Sequence, residues 1–532
     1  SRTLTLEIGI RFDLQGALSE LWDRIGAFDP RVANPTAGGL PGGMAYAGYG
    51  QGRCNCQFSK AYRYGFQPRL GFAYRVTPKT VVRGGWGLTY GQTANYAYIS
   101  NVPIVGVGYN QLSFNSPGSS QAAFTLRGGM PYTPAQLNAV SLDPGIRPNP
   151  GTVDAPPYWL DPNGGRPPRI QQWSIGIQRE LGNNLVVEGT YVGNRAAWLL
   201  ATSLQDLNAV TPETLRARGI DFNNAADRQL LTQQIGSAQV QARGFRLPYA
   251  GHPATQTLLQ ALKPFPQFSS IPIRWSPLGN SWFDSLQLKA TKRYSKGLDV
   301  QASFNWQKEL ALGADGGTIN DVFNRRNQKA ISPQSTPLPL AIAANYETPK
   351  LTSSKAIRAA TGGWTVGTIL RYQSATPIAV PGAQNNLGAQ LGRGTVANRV
   401  DGQPLFLKDL NCKCYDPNNE FVLNPAAWAE PAAGAWGTSA AYYGDYRGYR
   451  RPSEQLSVGR NIDIHEKVKL ELQAMFFNTF NRVYLNNPDS GNARATLQRN
   501  ANGTTLSGFG RVNTGTVAFG PRDGVLMMRV RF

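Results

Sequence analysis

The chain has 532 residues, a formal net charge of +21 and 41% hydrophobic residues, with a mean hydropathy of −0.33. No apolar run reaches the roughly 18 residues that a membrane-spanning helix needs, which excludes a helical membrane protein. Lys and Arg are spread over predicted loops and strands without a dense run, so the charge predicts no nucleic-acid partner. We expect these cations to contact anionic lipid headgroups and neighbouring carboxylates.

The first predicted strand, Arg2–Asp13, alternates strictly between apolar and polar residues. Its apolar positions are Leu4, Leu6, Ile8, Ile10 and Phe12. A period of two places them on one face of a strand and the polar residues on the other. The run is also about as long as a tilted strand that crosses a bilayer, roughly 9–11 residues.

The same alternation recurs to the end of the chain and predicts an all-β protein. We predict an antiparallel transmembrane β-barrel, of which about twelve strands are present, because each strand offers one face to lipid and one to a polar lumen. The predicted strands are Arg2–Asp13, Phe66–Val76, Thr80–Tyr90, Ile170–Arg179, Leu185–Asn194, Trp282–Arg293, Leu298–Gln307, Leu338–Glu347, Trp364–Gln373, Leu456–Ile464, Val468–Phe477 and Gly524–Phe532.

The predicted connections alternate between short turns and long loops. The tight turns are Thr77–Lys79, Leu181–Asn184, Tyr294–Gly297 and His465–Lys467, with a looser connection at Lys350–Gly362. The long loops include residues 91–169, 195–281 and 375–452. This alternation is typical of outer-membrane barrels, whose periplasmic turns are short and whose external loops are long. An even number of strands places both chain ends on the periplasmic side.

Aromatic residues cluster near the ends of the predicted strands. Those near the external end are Phe12, Phe66, Tyr90, Trp173, Tyr191, Trp282, Trp306 and Tyr372. Those near the periplasmic end are Tyr74, Tyr294, Tyr346, Trp364 and Phe532. Two girdles of rings indicate the two interfaces of a bilayer, whereas a β-sandwich, the alternative, does not predict them. Arg460 falls on the apolar face, which requires a β-bulge or an interfacial position.

Four cysteines occur as two Cys-x-Cys motifs in predicted loops, Cys54 with Cys56 and Cys412 with Cys414. In an oxidising compartment we expect disulfides, either within each loop or between the two loops. A disulfide between the loops would tie two distant parts of the barrel rim together. A metal site is the weaker alternative, because the motifs have no nearby His.

The sequence offers little for catalysis. Its two histidines, His252 and His465, fall in a loop and a turn, which argues against a catalytic triad or a His-rich metal site. We therefore expect no enzyme activity, no metal and no cofactor. The glycines of Gly84–Gly87 lie mid-strand, where glycine more often relieves crowding than binds phosphate.

Two further groups of polar residues leave alternatives open. The charged residues of the polar face are Arg69, Arg75, Arg83, Glu188, Lys289, Arg371, Lys469 and Glu471. They face a plug or solutes, or they form ion pairs between neighbouring strands. The loop segment Tyr442–Arg447 mixes rings with polar residues, which suits sugars or peptides, but its rings could equally pack on their own neighbours. No ligand-binding residue is predicted.

Several stretches of the sequence resemble one family. They are Phe66–Arg75 followed by Thr77–Gly85, Tyr191–Arg195, Asp284–Lys289, Phe421–Trp428 and Phe476–Asn481. In this order they resemble the barrel of Oar-like TonB-dependent outer-membrane receptors, and the similarity extends over most of the chain.

The resemblance implies a barrel of about 22 strands closed around an N-terminal plug. Family members also carry a carboxypeptidase-regulatory-like β-sandwich and a segment that engages the energy-coupling TonB protein. We expect these parts and a signal peptide to be missing, because Ser1 opens almost directly onto a strand, so that residues 1–532 form the C-terminal part of the barrel. The resemblance makes the last strand the signal for the barrel assembly machinery, carried by Leu526, Met528, Val530 and Phe532.

The function that the resemblance implies is binding of an unknown solute and its uptake across the bacterial outer membrane. The expected partners are outer-membrane lipid, lipopolysaccharide, the assembly machinery and TonB. A non-transporting surface barrel, for adhesion or secretion, is the alternative, and a soluble all-β binding protein is the third possibility. Detergent dependence separates the soluble protein from the barrels, and energy dependence separates the two barrels.

Overall fold

One antiparallel sheet dominates the computed structural model, which describes residues 3–532 except 16–22, 24, 59, 93–121, 123–124, 130–141, 147–151, 154, 183, 275, 314–319, 349–361, 413 and 466–467. Its strands are β1 (Leu4–Phe12), β2 (Phe66–Thr77), β3 (Thr80–Tyr90), β4 (Arg169–Gly182), β5 (Leu185–Leu199), β6 (Gly279–Ser295), β7 (Leu298–Leu312), β8 (Leu340–Glu347), β9 (Trp364–Tyr372), β10 (Ser453–His465), β11 (Val468–Phe477) and β12 (Asp523–Arg531).

Each strand of this main sheet pairs with its neighbours in the sequence, so β1 and β12 lie at the two edges. A thirteenth short strand, Lys329–Ile331, pairs with the end of β7. The prediction of an all-β protein with antiparallel strands is confirmed, and all twelve predicted strands are present. Among the described residues, no helix is long and apolar enough to cross a membrane.

The four strands β4–β7 are longer than predicted. They have 14, 15, 17 and 15 residues. The extra residues of β5–β7 lie mainly at the ends that lead into the long loops, whereas those of β4 lie mainly at its turn with β5. Apolar alternation marks only the part of a strand that has an apolar surrounding, whereas the hydrogen bonds between strands continue past it. The sequence pattern therefore underestimates the strand length at that end.

The tight turns have the backbone that short hairpins require. Between β6 and β7, Lys296 has φ of 53° and Gly297 has φ of 82°, so both central residues are left-handed, as in a type I′ turn. Between β4 and β5, Asn184 is also left-handed, with φ of 60°. Most of the predicted connection at Lys350–Gly362 and residues 466–467 of the last turn lie outside the described residues.

Strand register divides the main sheet into an apolar face and a polar face. Directly facing residues share a face, and one such row contains Ile177, Gly189, Leu288, Phe304, Leu340 and Tyr372. Large residues of this apolar face are exposed, with Leu526 at 85%, Ile8 at 78% and Met528 at 73%. A β-sandwich buries such residues under a second layer, so the exposure rules out the sandwich alternative.

The polar face carries ion pairs in the interior of the sheet and at its β12 edge. Nη2 of Arg83 on β3 lies 3.2 Å from Oε2 of Glu188 on β5. Nη2 of Arg531 on β12 lies 3.0 Å from Oε2 of Glu471 on β11. For Glu471 the predicted pairing between neighbouring strands is right, whereas Arg83 and Glu188 pair across β4, which lies between their strands. Glycine relieves crowding in β3 as predicted, because a Cβ on Gly84 would lie 2.7 Å from the Phe72 ring.

Arg460 lies on the apolar face without a bulge at its position. It faces Trp364 on β9 and Leu472 on β11, and its Cζ lies 5.1 Å from the centre of the Trp364 ring. Trp364 is the first residue of β9, at the short-turn end of the sheet. Of the two explanations that the sequence left open, the interfacial one fits, because the guanidinium lies next to an aromatic residue at a strand end.

The long connections at the opposite end form a second, globular part, the loop layer, comprising the described residues of 13–65, 91–168, 200–278, 313–339, 373–452 and 478–522. Its helices are α1 (Pro212–Ala217), α2 (Ala225–Leu230), α3 (Ala238–Ala242), α4 (Leu258–Leu262) and α5 (Leu387–Leu391). Four 3₁₀ turns occur at Pro35–Ala37, Thr202–Leu204, Arg325–Gln328 and Pro425–Ala427. Its paired strands are Gly26–Asn34 with Leu40–Tyr46, Trp159–Leu160 with Ile273–Arg274, Pro377–Ala379 with Tyr442–Arg447, Asn398–Arg399 with Trp428–Ala429, Tyr484–Leu485 with Val517–Phe519, and Gln498–Arg499 with Thr505–Ser507.

The hydrophobic core of the protein lies in this loop layer. One cluster joins the helices α1–α4 to α5, with Leu215, Leu231 and Leu258 fully buried. A second cluster is built around Trp428 and Tyr446, which are 1% and 0% exposed. The long loops therefore fold against one another, and their positions are fixed by packing.

Candidate functional site

The candidate site is a pocket where two long connections of the loop layer meet, the β9–β10 connection and the β11–β12 connection. The pocket has a volume of about 830 Å³. It is lined by Leu410, Asn411, Cys412, Tyr415, Pro417, Tyr449, Arg450, Pro452 and the segment Phe480–Leu485. The cluster around Trp428 and Tyr446 supports these walls, because Leu410, Tyr415, Tyr449 and Leu485 also pack against it.

Two tyrosines give one wall of the pocket a pair of hydroxyl groups. The hydroxyl oxygens of Tyr415 and Tyr449 are 2.7 Å apart and share a hydrogen bond. Burial raises the pKa of both Tyr415 and Tyr449, so both hydroxyls stay protonated at neutral pH. The pair can therefore donate one hydrogen bond to a bound solute and accept another.

Arg450 supplies a positive charge to the same pocket. Its backbone N–H donates to Oδ1 of Asn411 at 2.8 Å, which fixes the two facing segments to each other. The side chain is exposed, and no acidic partner is found for it among the described residues. An exposed guanidinium without a carboxylate partner can bind an anionic group in two-point geometry.

The floor of the pocket is anchored to the top of β10. Nε of Arg482 lies 3.0 Å from Oε1 of Glu454, a carboxylate that is 1% exposed. The Tyr484 hydroxyl donates to the carbonyl of Pro452, and burial raises the pKa of Tyr484 to about 12. The buried carboxylate is stable because it has a cationic partner, and the pair holds the segment Phe480–Leu485 against the strand.

A smaller recess of about 350 Å³ adjoins the pocket. It shares Leu410 and Asn411 with the pocket and is further lined by Phe406, Lys408 and Arg447. Lys408 pairs with Glu420, their Nζ and Oε1 atoms being 2.6 Å apart, and Arg447 donates to three backbone carbonyls. These cations are already bonded within the protein, so Arg450 is the better candidate for contact with a solute.

The cysteines form disulfides within each motif, Cys54 with Cys56 and Cys412 with Cys414. The two loops are therefore not tied to each other through these residues. Cys412 lies in the pocket wall. Among the described residues, no group of three or more His, Cys, Asp or Glu side chains is placed to hold a metal ion.

The aromatic loop segment Tyr442–Arg447 packs on its own neighbours and does not form the pocket. Tyr446 is fully buried against Trp428, with 5.4 Å between the ring centres. The guanidinium of Arg399 lies 4.7 Å from the centre of the Tyr443 ring and pairs with Asp445 at 2.6 Å. Of the two interpretations of this segment, packing of its rings on neighbouring residues is the correct one.

The residues of the predicted assembly signal lie together on the exposed apolar edge. Leu526, Met528 and Val530 share the apolar face of β12, and Phe532 is 99% exposed. Their role in assembly stays a prediction. His252 is buried in the β5–β6 connection, and the side chain of His465 lies outside the described part of the chain.

The sequence did not indicate the residues of the pocket. Tyr415, Tyr449, Arg450 and Tyr484 are spread over some seventy positions of irregular chain, and none lies in a recognisable motif. The one available signal was that both connections combine aromatic residues with Asn and Arg, and that signal is too common to select four residues.

Comparison with known proteins gives one family and a set of structures. The family model described as "Outer membrane beta barrel domain" matches residues 1–523. No curated protein matches the chain. Similar solved structures include the ferric enterobactin receptor PfeA of Pseudomonas aeruginosa, at 10% identity over 89% of this chain, with a TM-score of 0.38.

Two further structures are similar to the same extent. The ferric-catecholate import receptor Fiu of E. coli K12 has 10% identity over 100% of this chain and a TM-score of 0.35. The ferripyoverdine receptor of the Pseudomonas aeruginosa outer membrane has 11% identity over 92% of it and a TM-score of 0.33. The chain spans 41%, 42% and 35% of the lengths of these three structures.

Proposed function

We propose, because this chain belongs to the outer membrane beta barrel domain family, that it is part of a TonB-dependent receptor that binds a solute at its external loops and admits it to the cell. Family membership places the chain in the bacterial outer membrane, with the apolar face of the main sheet against lipid. The loop layer then lies on the external side, above the long-loop ends of the strands.

The observation that carries the proposal is that the loop layer holds a pocket above a main sheet with one apolar and one polar face. A solute held by Tyr415, Tyr449 and Arg450 sits in the external part of the protein. The polar face below it, with Glu188, Lys289 and neighbouring polar residues, gives a water-compatible route across the membrane. A folded loop layer also holds the pocket in place before the solute arrives, which lowers the entropy cost of binding.

The chemistry of the pocket favours a polar solute that carries an anionic group. Arg450 pairs with the anion, the two tyrosine hydroxyls bond to oxygen atoms, and Phe480 and Leu485 contact an apolar part. We further propose the Oar-like subtype, coupling to TonB through N-terminal parts outside residues 1–532, and recognition of Leu526, Met528, Val530 and Phe532 by the assembly machinery. The sequence resemblance supports all three.

The test is uptake by cells that express the full-length protein. Radiolabelled ferric enterobactin, ferripyoverdine, maltooligosaccharides and short peptides are offered to cells with and without the gene. We expect one class to accumulate only in cells with the gene, and accumulation to stop when the tonB gene is deleted. Gene-dependent uptake that continues without TonB contradicts the proposal.

A matched pair of variants connects uptake to the pocket. Arg450→Gln removes the pocket cation that has no acidic partner among the described residues, whereas Arg218→Gln removes an exposed cation after α1, outside the pocket. We expect Arg450→Gln to raise the solute concentration for half-maximal uptake and Arg218→Gln to leave it unchanged. A protein that is correctly inserted yet moves none of the probes favours the non-transporting surface barrel.

A further inference from the structure

A band of positive charge lies on the apolar face of the main sheet, at the long-loop ends of β3–β7. Three rows of directly facing residues form this end of the face. They are Trp86, Trp173, Gly193, Asp284 and Lys308; then Leu88, Gln171, Arg195, Trp282, Leu310 and Ile331; and finally Tyr90, Arg169, Ala197, Asn280, Leu312 and Lys329. We call the cations Arg169, Arg195, Lys308 and Lys329 of these rows the rim patch, together with Arg166 of the connection that precedes β4.

Four of the five cations lie against the ring of a tryptophan. Cζ of Arg166 and of Arg169 lie 4.8 and 4.5 Å from the centre of the Trp198 ring. Cζ of Arg195 lies 5.2 Å from the Trp173 ring, and Nζ of Lys329 lies 3.9 Å from the Trp282 ring. Such contacts hold the cations at defined positions without neutralising their charge.

Trp198 has a backbone that a bulky side chain rarely adopts. Its φ is 64°, in the left-handed region, although it follows a regular stretch of β5. That conformation interrupts the alternation of the strand where the indole meets both guanidinium groups. The left-handed residue is part of the geometry that brings Trp198 to Arg166 and Arg169.

One of the five cations, Arg195, is paired with an acidic residue of the same rows, Asp284. Nη2 of Arg195 lies 2.9 Å from Oδ2 of Asp284, and the Tyr191 hydroxyl donates to Asp284 at 2.6 Å. Among the described residues, Arg166, Arg169, Lys308 and Lys329 have no ion pair with an acid. Four positive charges therefore lack a counter-charge from the described part of the chain, whereas Arg83 on the polar face is paired with Glu188.

The level of the rim patch in the membrane follows from the rows below it. The next rows toward the short turns are apolar and exposed, with Ile175 at 55%, Ile177 at 52% and Leu288 at 44%. Rows on one face are two residues apart, about 7 Å along the strand. The cations therefore begin directly above the hydrocarbon, at the level of the headgroups of the external leaflet.

We propose that the rim patch binds the phosphate groups of a phosphorylated glycolipid of the external leaflet, that is, the lipid A part of lipopolysaccharide. Arg166, Arg169, Lys308 and Lys329 supply the charge that these phosphates need. The apolar rows below accept the acyl chains. The inference rests on the location in the outer membrane and is independent of solute uptake.

The experiment measures binding of lipid A to the full-length protein, purified in detergent and stripped of lipopolysaccharide. The probes are lipid A with both phosphates, the same lipid without phosphates, and inorganic phosphate. Each cation near a membrane surface changes binding of an anionic headgroup about fivefold. We therefore expect Lys308→Gln combined with Lys329→Gln to weaken binding of phosphorylated lipid A roughly thirtyfold.

The matched control removes two exposed cations from the polar face. Lys289→Gln combined with Arg371→Gln makes the same change in net charge, and we expect affinity for phosphorylated lipid A to be unchanged. Heat-dependent migration in gels verifies that every variant is folded. Solute uptake is measured in parallel, and we expect Lys308→Gln combined with Lys329→Gln to leave it unchanged.

Three results would overturn the proposal. One is equal affinity of the unsubstituted protein for lipid A with and without phosphates, which needs no variant to fold. The second is equal loss of affinity in the two double variants, since bulk charge would then explain the binding. The third is competition by inorganic phosphate at the concentration at which lipid A binds, which would assign the patch to a free anion.

Discussion

The main sheet exposes large apolar side chains, whereas the loop layer buries side chains of the same kinds. Ile8 on β1 is 78% exposed, whereas Leu215 on α1 is 0% exposed. Trp306 on β7 is 65% exposed, whereas Trp428 in the loop layer is 1% exposed. In water, the exposed Ile8 and Trp306 would promote aggregation, whereas the buried Leu215 and Trp428 stabilise a hydrophobic core. The contrast shows that the two regions have different solvents, hydrocarbon for the sheet and water for the loops.

This difference decides what holds each region together. The loop layer is stabilised by burying apolar area away from water, like any globular domain. The main sheet loses no water from its apolar face when it is already in lipid, so its stability comes from the hydrogen bonds of the ladder and from the match with the bilayer. Equivalent substitutions in the two regions should therefore have different consequences.

The largest effect is expected from emptying the core of the loop layer. Trp428→Ala removes a buried indole and should destabilise the loop layer by about 3–5 kcal/mol. Trp306→Ala is the matched change on the apolar face, where little packing is lost. We expect limited proteolysis to cleave the loops of the Trp428→Ala protein only, while both variants keep heat-dependent migration. Equal protease resistance of the two variants would contradict the expected difference between the loop layer and the main sheet.

The next effect concerns a charge on either face of β7. Phe304→Lys places a cation on the apolar face and should cost about 2–4 kcal/mol near the middle of the bilayer. Ser303→Lys places it on the polar face one residue earlier and should be tolerated. The amount of folded protein in outer-membrane fractions measures both. Similar losses for the two variants would contradict the assignment of faces.

Removal of Phe532 tests the exposed edge of the sheet. Deleting Phe532 from the full-length protein should lower its level in the outer membrane while synthesis continues, because the proposed assembly signal loses its aromatic ring. The measurement compares membrane fractions with total protein by immunoblot. Deleting Phe532 with no loss from the membrane fraction would show that the ring has no part in assembly.

The smallest effect is a pH dependence of the loop layer. His252 is 3% exposed, and burial lowers its pKa below the ordinary value. The unfolded His takes up a proton at about pH 6.5 and the folded one only at lower pH. Between these values the unfolded state binds more protons, so stability decreases as the pH falls.

The matching variant is His252→Phe, which keeps a ring against Tyr249 but cannot be protonated. Proteolysis of the loops at about pH 7.5 and pH 5.5 compares the two proteins. We expect acid to increase cleavage of the unsubstituted protein more than that of the variant. An identical response to acid would mean that His252 does not contribute.

The sequence predicted the main sheet because a period of two is a local signal. Each of the twelve strands carries its own evidence, as Leu298 to Trp306 does by alternating apolar with polar residues. The strand ends were predicted less well, since β7 continues to Leu312 beyond the apolar level. Arg460 could be placed on the correct face, but only its neighbour Trp364 shows how it is accommodated.

The loop layer could not be predicted in the same way. Its helices have five or six residues, too few for a 3.6-residue period to be recognised. The pocket depends on contacts between segments far apart in the sequence, such as Tyr415 with Tyr449 and Arg482 with Glu454. Such contacts are set by packing between loops, and no local pattern encodes them.

The most direct test of the whole account is a scan of spin labels along β7 in native outer membranes. Single substitutions such as Val300→Cys, Ala302→Cys and Phe304→Cys put a nitroxide on the apolar face, and Gln301→Cys and Ser303→Cys put it on the polar face. Relaxation by oxygen reports contact with hydrocarbon, and relaxation by a water-soluble nickel complex reports contact with water. We predict that the two signals alternate with a period of two, oxygen contact being high at the even positions. Low oxygen contact at all five positions would show that protein covers the apolar face and would contradict the account.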